Sequence, residues 1–213
     1  HSSGFLIDKL TSSSSSSTSL ARMQPNLVSQ VSKSVDSRVQ LFGRPLIRLL
    51  KFLMSSWNLG DASVGGLCPF AQSLLVIYYL ESAECDAYVR KAHHCNSAEE
   101  LLCTLWIGFL KFLSTTDFNT RGIDVENRET FKKCSSPAMI FIRSPVDPSA
   151  NCALACRKIG NLRSKWTALF KEFSAALAVT TIDDMDSATL FVKKGMLLLR
   201  HNQNNEVLTR FEE

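Results

Sequence analysis

Arg44, Arg48 and Lys51 follow one another at steps of four and three residues, a spacing that lines them up along one side of a helix. Beyond them Gly65-Gly66 leads into Leu67-Cys68-Pro69. Proline suits a first helical turn, because the N–H it lacks has no helical partner there and its φ is already helical. A helix start carries free N–H groups and the positive end of the helix dipole, so opposite a cationic stripe it would hold a phosphate or another anion. A solvated helix face and an ordinary glycine turn account for the same residues.

Three other groups have side chains that could do chemistry. Cys85, His93, His94 and Cys95 are the tightest thiol and imidazole cluster, but they contain no C-x₂-C or H-x₃-H pair of the kind zinc sites use. A loop at a helix end is the plainer account of them. Asp183, Asp184 and Asp186 look like a cation-binding cluster and equally like a solvated acidic turn. Asp8 stands in a short apolar run, Gly4 to Leu10, that reads as a strand bounded by Gly and a Ser/Thr tract.

The elements that must position these residues are mostly helical. Val39, Phe42, Leu46, Leu49, Leu50 and Leu53 recur at three- and four-residue steps and predict a helix in the first segment of the run from Val35 to Leu80. Phe70, Leu74, Ile77 and Tyr78 predict a second helix after Pro69, so Val35 to Leu80 forms a helical hairpin with residues 58–66 as its loop. Glu81 to Asn96 reads as a charged connection. Ser97 and Glu100 make an S-x-x-E capping box. The helix it opens, with Leu101, Leu102, Leu105, Trp106, Phe109, Leu110 and Phe112, is nearly all apolar and therefore central.

That helix ends at Asp117-Phe118, and Gly122 to Val125 and Ala138 to Ile142 read as short strands. Pro145 and Pro148 force a tight turn, and Asn151 is placed to start or cap the next helix. Lys158 to Leu177 is amphipathic, with Leu162, Trp166, Leu169, Phe170 and Phe173 on one face. Thr11 to Ser19 is a low-complexity loop, Ala21 to Ser34 a weak helix, and Ala188 to Arg200 a helix or a strand pair.

The chain has 213 residues, 45% hydrophobic and 21% charged, with a net charge of +4. That is globular, and the spread of basic residues permits nucleic-acid contact without demanding it. No apolar run reaches the roughly 18 residues of a membrane span, so no membrane partner is expected. HSSGFLIDKL lacks the pattern of a secretory leader and a starting Met, which reads as a fragment or a processed form. Seven cysteines, an odd number with Cys103, Cys152 and Cys156 in apolar helical surroundings, suggest buried thiols in a reducing intracellular compartment such as cytoplasm, nucleus or mitochondrion.

Four blocks carry a family resemblance. DSRVQLFGRPLIRLLKFL and GGLCPFAQSLLVIYYLE resemble the DPRV…LLKxW and GGLSSYALxLMVIYFLQ blocks of template-independent RNA nucleotidyltransferases, the terminal uridylyltransferases and non-standard poly(A) polymerases. LLCTLWIGFLKFLSTTDFNTRGIDV is similar to that family's ELLxGFFxYYxxxFDFxxxxISV, and IFIRSPVDPSANCA to its IxDPFDxxxNVA and to the DPADPTGNVA of oligoadenylate synthetases. The order and spacing of the four blocks agree with the family's.

The resemblance implies a mainly α fold with short β-strands, an α+β domain: the helical central domain of a nucleotidyltransferase, preceded by the last strand of its catalytic palm. Residues 1–34 would then be a palm remnant with its Ser-rich loop, 35–180 the poly(A) polymerase-associated domain and 181–213 an extension. It implies that Asp8 is a catalytic carboxylate sharing Mg²⁺ or Mn²⁺ with two upstream carboxylates, which this chain does not contain. It assigns Lys51 to the triphosphate, Phe70 to stacking on the incoming base, Cys68 and Asn151 to the nucleotide, and Arg44 and Arg48 to RNA. The departures are specific. The family's second lysine is Ser55, its two hydroxyls before the ring are Cys68 and Pro69, the aspartate of its DPF motif is Ser144, and a residue that helps select uracil in some members is Ala150.

The expected partners are an NTP and an RNA 3′ end, and the expected activity is addition of UMP or AMP to that end by a two-metal mechanism. A catalytically inactive module kept for RNA or protein binding is the alternative.

Overall fold

The structure is a computed structural model that describes residues 35–91, 98–133 and 140–179. Asp8, the Ser-rich tract, His93, His94, Cys95, Ser97 and the acidic group Asp183, Asp184 and Asp186 lie outside the described residues. The predicted N-terminal strand and the segments flanking the Ser tract and the C-terminus lie outside them too.

Helix α1, Val35–Ser56, buries Val39, Phe42, Leu46, Leu50 and Leu53 along the predicted stripe. It runs through Pro45, which deprives the Leu41 carbonyl of its usual donor. Helix α2, Pro69–Glu81, is buried on nearly every side from Ala71 onward and packs against α1. An element apolar all round needs neighbours all round.

Residues 83–91 are helical, where the sequence reading expects a connection: α3 spans Ala83–Lys91. Its sequence lacks an apolar stripe, and only Cys85 and Val89, one turn apart, are deeply buried. Ser82 joins it to α2. The Ser82 N–H and hydroxyl both donate to the Tyr79 carbonyl, at 3.0 and 2.7 Å, and the hydroxyl accepts from the Cys85 N–H at 3.2 Å. One serine thus closes the last turn of α2 and satisfies a free N–H of α3. Glu84 and Asp86 in the first turn complement the helix dipole.

Helix α4, Ala98–Thr115, is central as its composition predicts, packing against α1, α2 and α3. Its Phe109 lies 5.3 Å from the Tyr79 ring, and Phe112 meets Phe118 edge-on at 6.3 Å. A small sheet follows, with strands β1 (Arg121–Asp124), β2 (Glu129–Lys132) and β3 (Phe141–Ile142) in the order β2-β1-β3. β1 pairs antiparallel with β2, Arg121 opposite Lys132, and parallel with β3, Ile123 opposite Ile142. Asp124 anchors the sheet. It accepts from the Asn127 N–H at 3.0 Å and Nδ2 at 2.8 Å, and it pairs with Arg143, whose guanidinium lies 4.4 Å from the Phe131 ring centre. Helix α5, Ile159–Val179, lies along α4 and seats Leu162 and Trp166 in the core, with Leu169, Phe170 and Phe173 packed beside them.

The result is a mainly helical α+β fold with one core shared by the five described helices and the sheet. No described helix is long and apolar enough to cross a membrane.

Candidate functional site

The hairpin loop between α1 and α2 is fixed by its own backbone. Asn58 adopts a left-handed φ of 53°, Leu59 N–H bonds the Met54 carbonyl at 2.8 Å, and Leu67 N–H bonds the Leu59 carbonyl at 2.8 Å. A Cβ at Gly66 would overlap that Leu59 carbonyl, and Gly65 has φ 79°. Both positions call for glycine, one for close approach and the other for its dihedral. The Gly65 carbonyl then accepts from the N–H groups of both Arg157 and Lys158, each at 3.0 Å. The loop is thereby fastened to the start of α5.

Cys68 caps α2. Its backbone is extended, and its sulfur accepts from the Ala71 N–H at 3.5 Å while its thiol donates to the Cys152 carbonyl at 3.4 Å. Where the resembled family has hydroxyls, a weaker sulfur partner already bonds both its own helix and the 152 segment. Phe70, in the first turn, is 42% exposed, one of few large apolar side chains that face outward. A ring at a helix start with an open face can take a second planar group.

Asn151 does not start or cap a helix. α5 begins eight residues later, and turns fill the interval. Its Oδ1 accepts from Ile142 N–H at 3.0 Å and Ala153 N–H at 2.9 Å, and its Nδ2 donates to the Ile140 carbonyl at 3.0 Å. Among the described residues no further strand pairs with β3: the Cys152 N–H takes the Ile142 carbonyl at 2.9 Å, and the asparagine amide takes the Ile142 N–H and the Ile140 carbonyl. One Nδ2 hydrogen is left over. The turn before it is self-contained: Ser144 Oγ accepts from Val146 and Asp147 N–H, Ser144 N–H bonds the Ala150 carbonyl at 3.0 Å, and Asp147 accepts from Ser149. Those Ser149 hydrogen bonds hold the exposed Asp147 carboxyl below its ordinary value.

The start of α2 is therefore joined to the residue after Asn151 through the bond of Cys68 to the Cys152 carbonyl. Of the cationic stripe, Arg48 and Lys51 are exposed and Arg44 is half-buried with interactions of its own. Lys51 makes no hydrogen bond or ion pair to Cys68, Phe70 or Asn151 among the described residues. The thiols differ from expectation in place. Cys156 is buried and pushed up to about 11 by that burial, whereas Cys152 is half-buried, and both lie in the turns before α5 rather than in a helix. Cys85 is buried too, its thiol raised to about 11 by burial against the opposing pull of Arg38.

The sequence reading overlooks Arg157 and Lys158. Between Asp147 and Glu172 the chain carries Arg157, Lys158, Arg163, Lys165 and Lys171 and no carboxylate, a signal available without any structure. An open depression of about 400 Å³ lies beside the two, lined also by Ala62, Ser63, Val64, Gly65 and Ala155. Among the described residues no group of three or more His, Cys, Asp or Glu side chains is placed to hold a metal ion. Asp8, to which the resemblance assigns Mg²⁺ or Mn²⁺, lies outside the described residues.

No protein-family model matches the chain, and no curated protein matches it in sequence. Among solved structures the fold is similar to one described as "Structure and function of the polymerase core of TRAMP, a RNA surveillance complex", with TM-score 0.51 and 15% identity. That match covers 76% of this chain and 52% of the other, so the chain spans about half the length of the solved one. At that identity the likeness is one of fold.

Proposed function

We propose that this chain carries the helical, poly(A) polymerase-associated domain of a template-independent RNA nucleotidyltransferase that adds UMP or AMP to RNA 3′ ends. The observation that carries the reading is the outward-facing ring of Phe70 on a start of α2 whose Cys68 cap bonds the Cys152 carbonyl, in a fold similar to the polymerase core of TRAMP, a RNA surveillance complex.

In this reading the base of the incoming nucleotide stacks on Phe70, which the first turn of α2 carries. Lys51 faces the triphosphate and the free N–H groups of the α2 start add to its field, while Arg44 and Arg48 meet RNA. Asn151 holds the turn beside the base and retains one N–H to offer it. Asp8 and carboxylates outside this chain would supply the metal-dependent polarisation of the 3′-hydroxyl. The alternative, an inactive RNA- or protein-binding module, is favoured by one observation: Cys68 stands in a hydroxyl position and already bonds Ala71 and Cys152.

Primer extension separates the two. A longer form of the protein that includes the upstream palm should extend a single-stranded RNA primer with UTP or ATP and a divalent ion, and Asp8→Ala should abolish it. This chain alone should extend nothing. Extension by this chain alone that vanishes in Asp183→Ala/Asp184→Ala would move the catalytic carboxylates to the C-terminal cluster. No extension by the longer form with any nucleotide would leave the inactive module.

A further inference from the structure

We propose that the depression beside Arg157 and Lys158, continued along α5 to Lys165, binds the backbone of single-stranded RNA. The choice of RNA rests on the transferase reading, but the site itself stands on separate observations. Arg157 and Lys158 are both exposed, and neither has a carboxylate partner among the described residues. Their backbone is immobilised, because both N–H groups bond the Gly65 carbonyl at 3.0 Å. Two cations are thus held on the rim of a concavity of about 400 Å³, a volume within the range of small-ligand sites.

The walls of the depression are chemically split. Arg157 and Lys158 supply charge, while Val64 and Ala155 supply apolar surface, and Ser63 is engaged by the neighbouring Asp61 carboxylate. Val64 is exposed. A nucleotide has the same division, a phosphate at one end and a planar apolar face at the other. Lys165 is seven residues beyond Lys158, the residue that precedes α5 and whose carbonyl accepts from the Leu162 N–H at 3.1 Å, and stands about 10 Å further along the helix. Its ammonium lies 5.4 Å from the centre of the Trp57 ring at the end of α1, a contact that fixes its position. The chain places no acidic residue between Asp147 and Glu172. The carboxylates near this ridge therefore come from other elements, Asp61 held by Ser63 in the hairpin loop and Asp117 beside Arg163, and the cations outnumber them.

The site differs from the one at Phe70. It lies on the hairpin loop and the α5 start, and it takes a strand already polymerised rather than the incoming nucleotide.

The test is fluorescence anisotropy of a labelled single-stranded oligoribonucleotide with this 213-residue chain, at several salt concentrations. Arg157→Glu/Lys158→Glu should weaken binding about tenfold or more and lower the salt slope by about 0.7 per cation lost. Arg121→Glu/Lys132→Glu, a cross-strand pair on the sheet, changes net charge equally and should cost about twofold at most, with its slope kept. Lys165→Gln should fall between them. Circular dichroism matching the wild type checks the fold, and Arg157→Gln/Lys158→Gln serves where the glutamates disturb it. Equal losses in the loop pair and the sheet pair, or no RNA binding by the wild type, would overturn the proposal. RNA binding through these residues in a protein whose longer form extends no primer would keep the site and remove the transferase reading.

Discussion

Arg38 of α1 and Asp86 of α3 form an ion pair at 2.6 Å in which the guanidinium is sealed from solvent and the carboxylate is 41% exposed. The same guanidinium donates to the Cys85 sulfur at 3.5 Å, and its Nε has no partner among the described residues. The pair is what fixes a helix with little apolar surface to the hairpin. Asp86→Ala would strand a buried charge and should cost about 2 kcal/mol, below the full cost for a buried pair because the carboxylate is partly wet. Arg38→Met/Asp86→Ala should recover part of that loss. Urea unfolding in which the double variant is less stable than Asp86→Ala would refute this account.

In the proposed reading a base stacks on Phe70, so Phe70→Ala should weaken NTP binding by roughly tenfold, with Phe70→Tyr close to wild type. Calorimetry on a form that includes the palm decides it, and equal affinities for Ala and Phe would remove Phe70 from the site.

The Asn151 amide replaces a missing strand for β3 through its bonds to Ile140, Ile142 and Ala153. Asn151→Ala should cost on the order of 2–3 kcal/mol, since buried backbone groups lose their partners. Asn151→Asp should be no better, because a carboxylate would face the Ile140 carbonyl. Thermal denaturation with an unchanged midpoint in either variant would show that water replaces the amide without penalty.

Two glycines should respond with opposite signs. Gly66→Ala places a Cβ onto the Leu59 carbonyl, a backbone atom held by its bond to Leu67, and should cost about 2 kcal/mol or more. Gly160→Ala, in the first turn of α5 with nothing near its Cβ position, should stabilise by about 0.5–1 kcal/mol. A tolerated alanine at residue 66 would mean that the loop has another conformation.

Asp124 gives the fold an acid limit. Burial pushes its carboxyl up, but the Asn127 hydrogen bonds and the Arg143 guanidinium outweigh burial and hold it below the ordinary aspartate value. A lowered folded value means stability present above the unfolded value and lost as pH falls through the folded one. Asp124→Asn should therefore destabilise at neutral pH by about 2 kcal/mol and flatten the loss of stability below pH ~4. A variant whose acid limb keeps the wild-type slope would place the limit at another carboxylate.

The periodicity of Val39, Phe42, Leu46, Leu50 and Leu53 determined α1. Pro69 determined where α2 starts, the near-continuous apolar run from Leu101 to Phe112 put α4 at the centre, and the stripe from Leu162 to Phe173 determined α5. These are local signals, because a helix closes its hydrogen bonds within itself and only its buried face must match the rest. The glycines of the hairpin loop were legible in the same way, whereas the spacing groups Phe70 with the buried Leu74, Ile77 and Tyr78 and gives Cys68 no cap role, and the structure exposes the one and caps with the other. Tertiary structure alone decided the rest. Residues 83–91 are helical because Ser82, Arg38 and Asp86 hold them, and β2 exists because β1 lies opposite it. Asn151 binds a strand edge instead of capping a helix. Arg157 and Lys158 flank a depression because Gly65, far earlier in the chain, offers them its carbonyl. Each of these depends on a partner distant in sequence, and no spacing of residue types encodes which distant group will arrive.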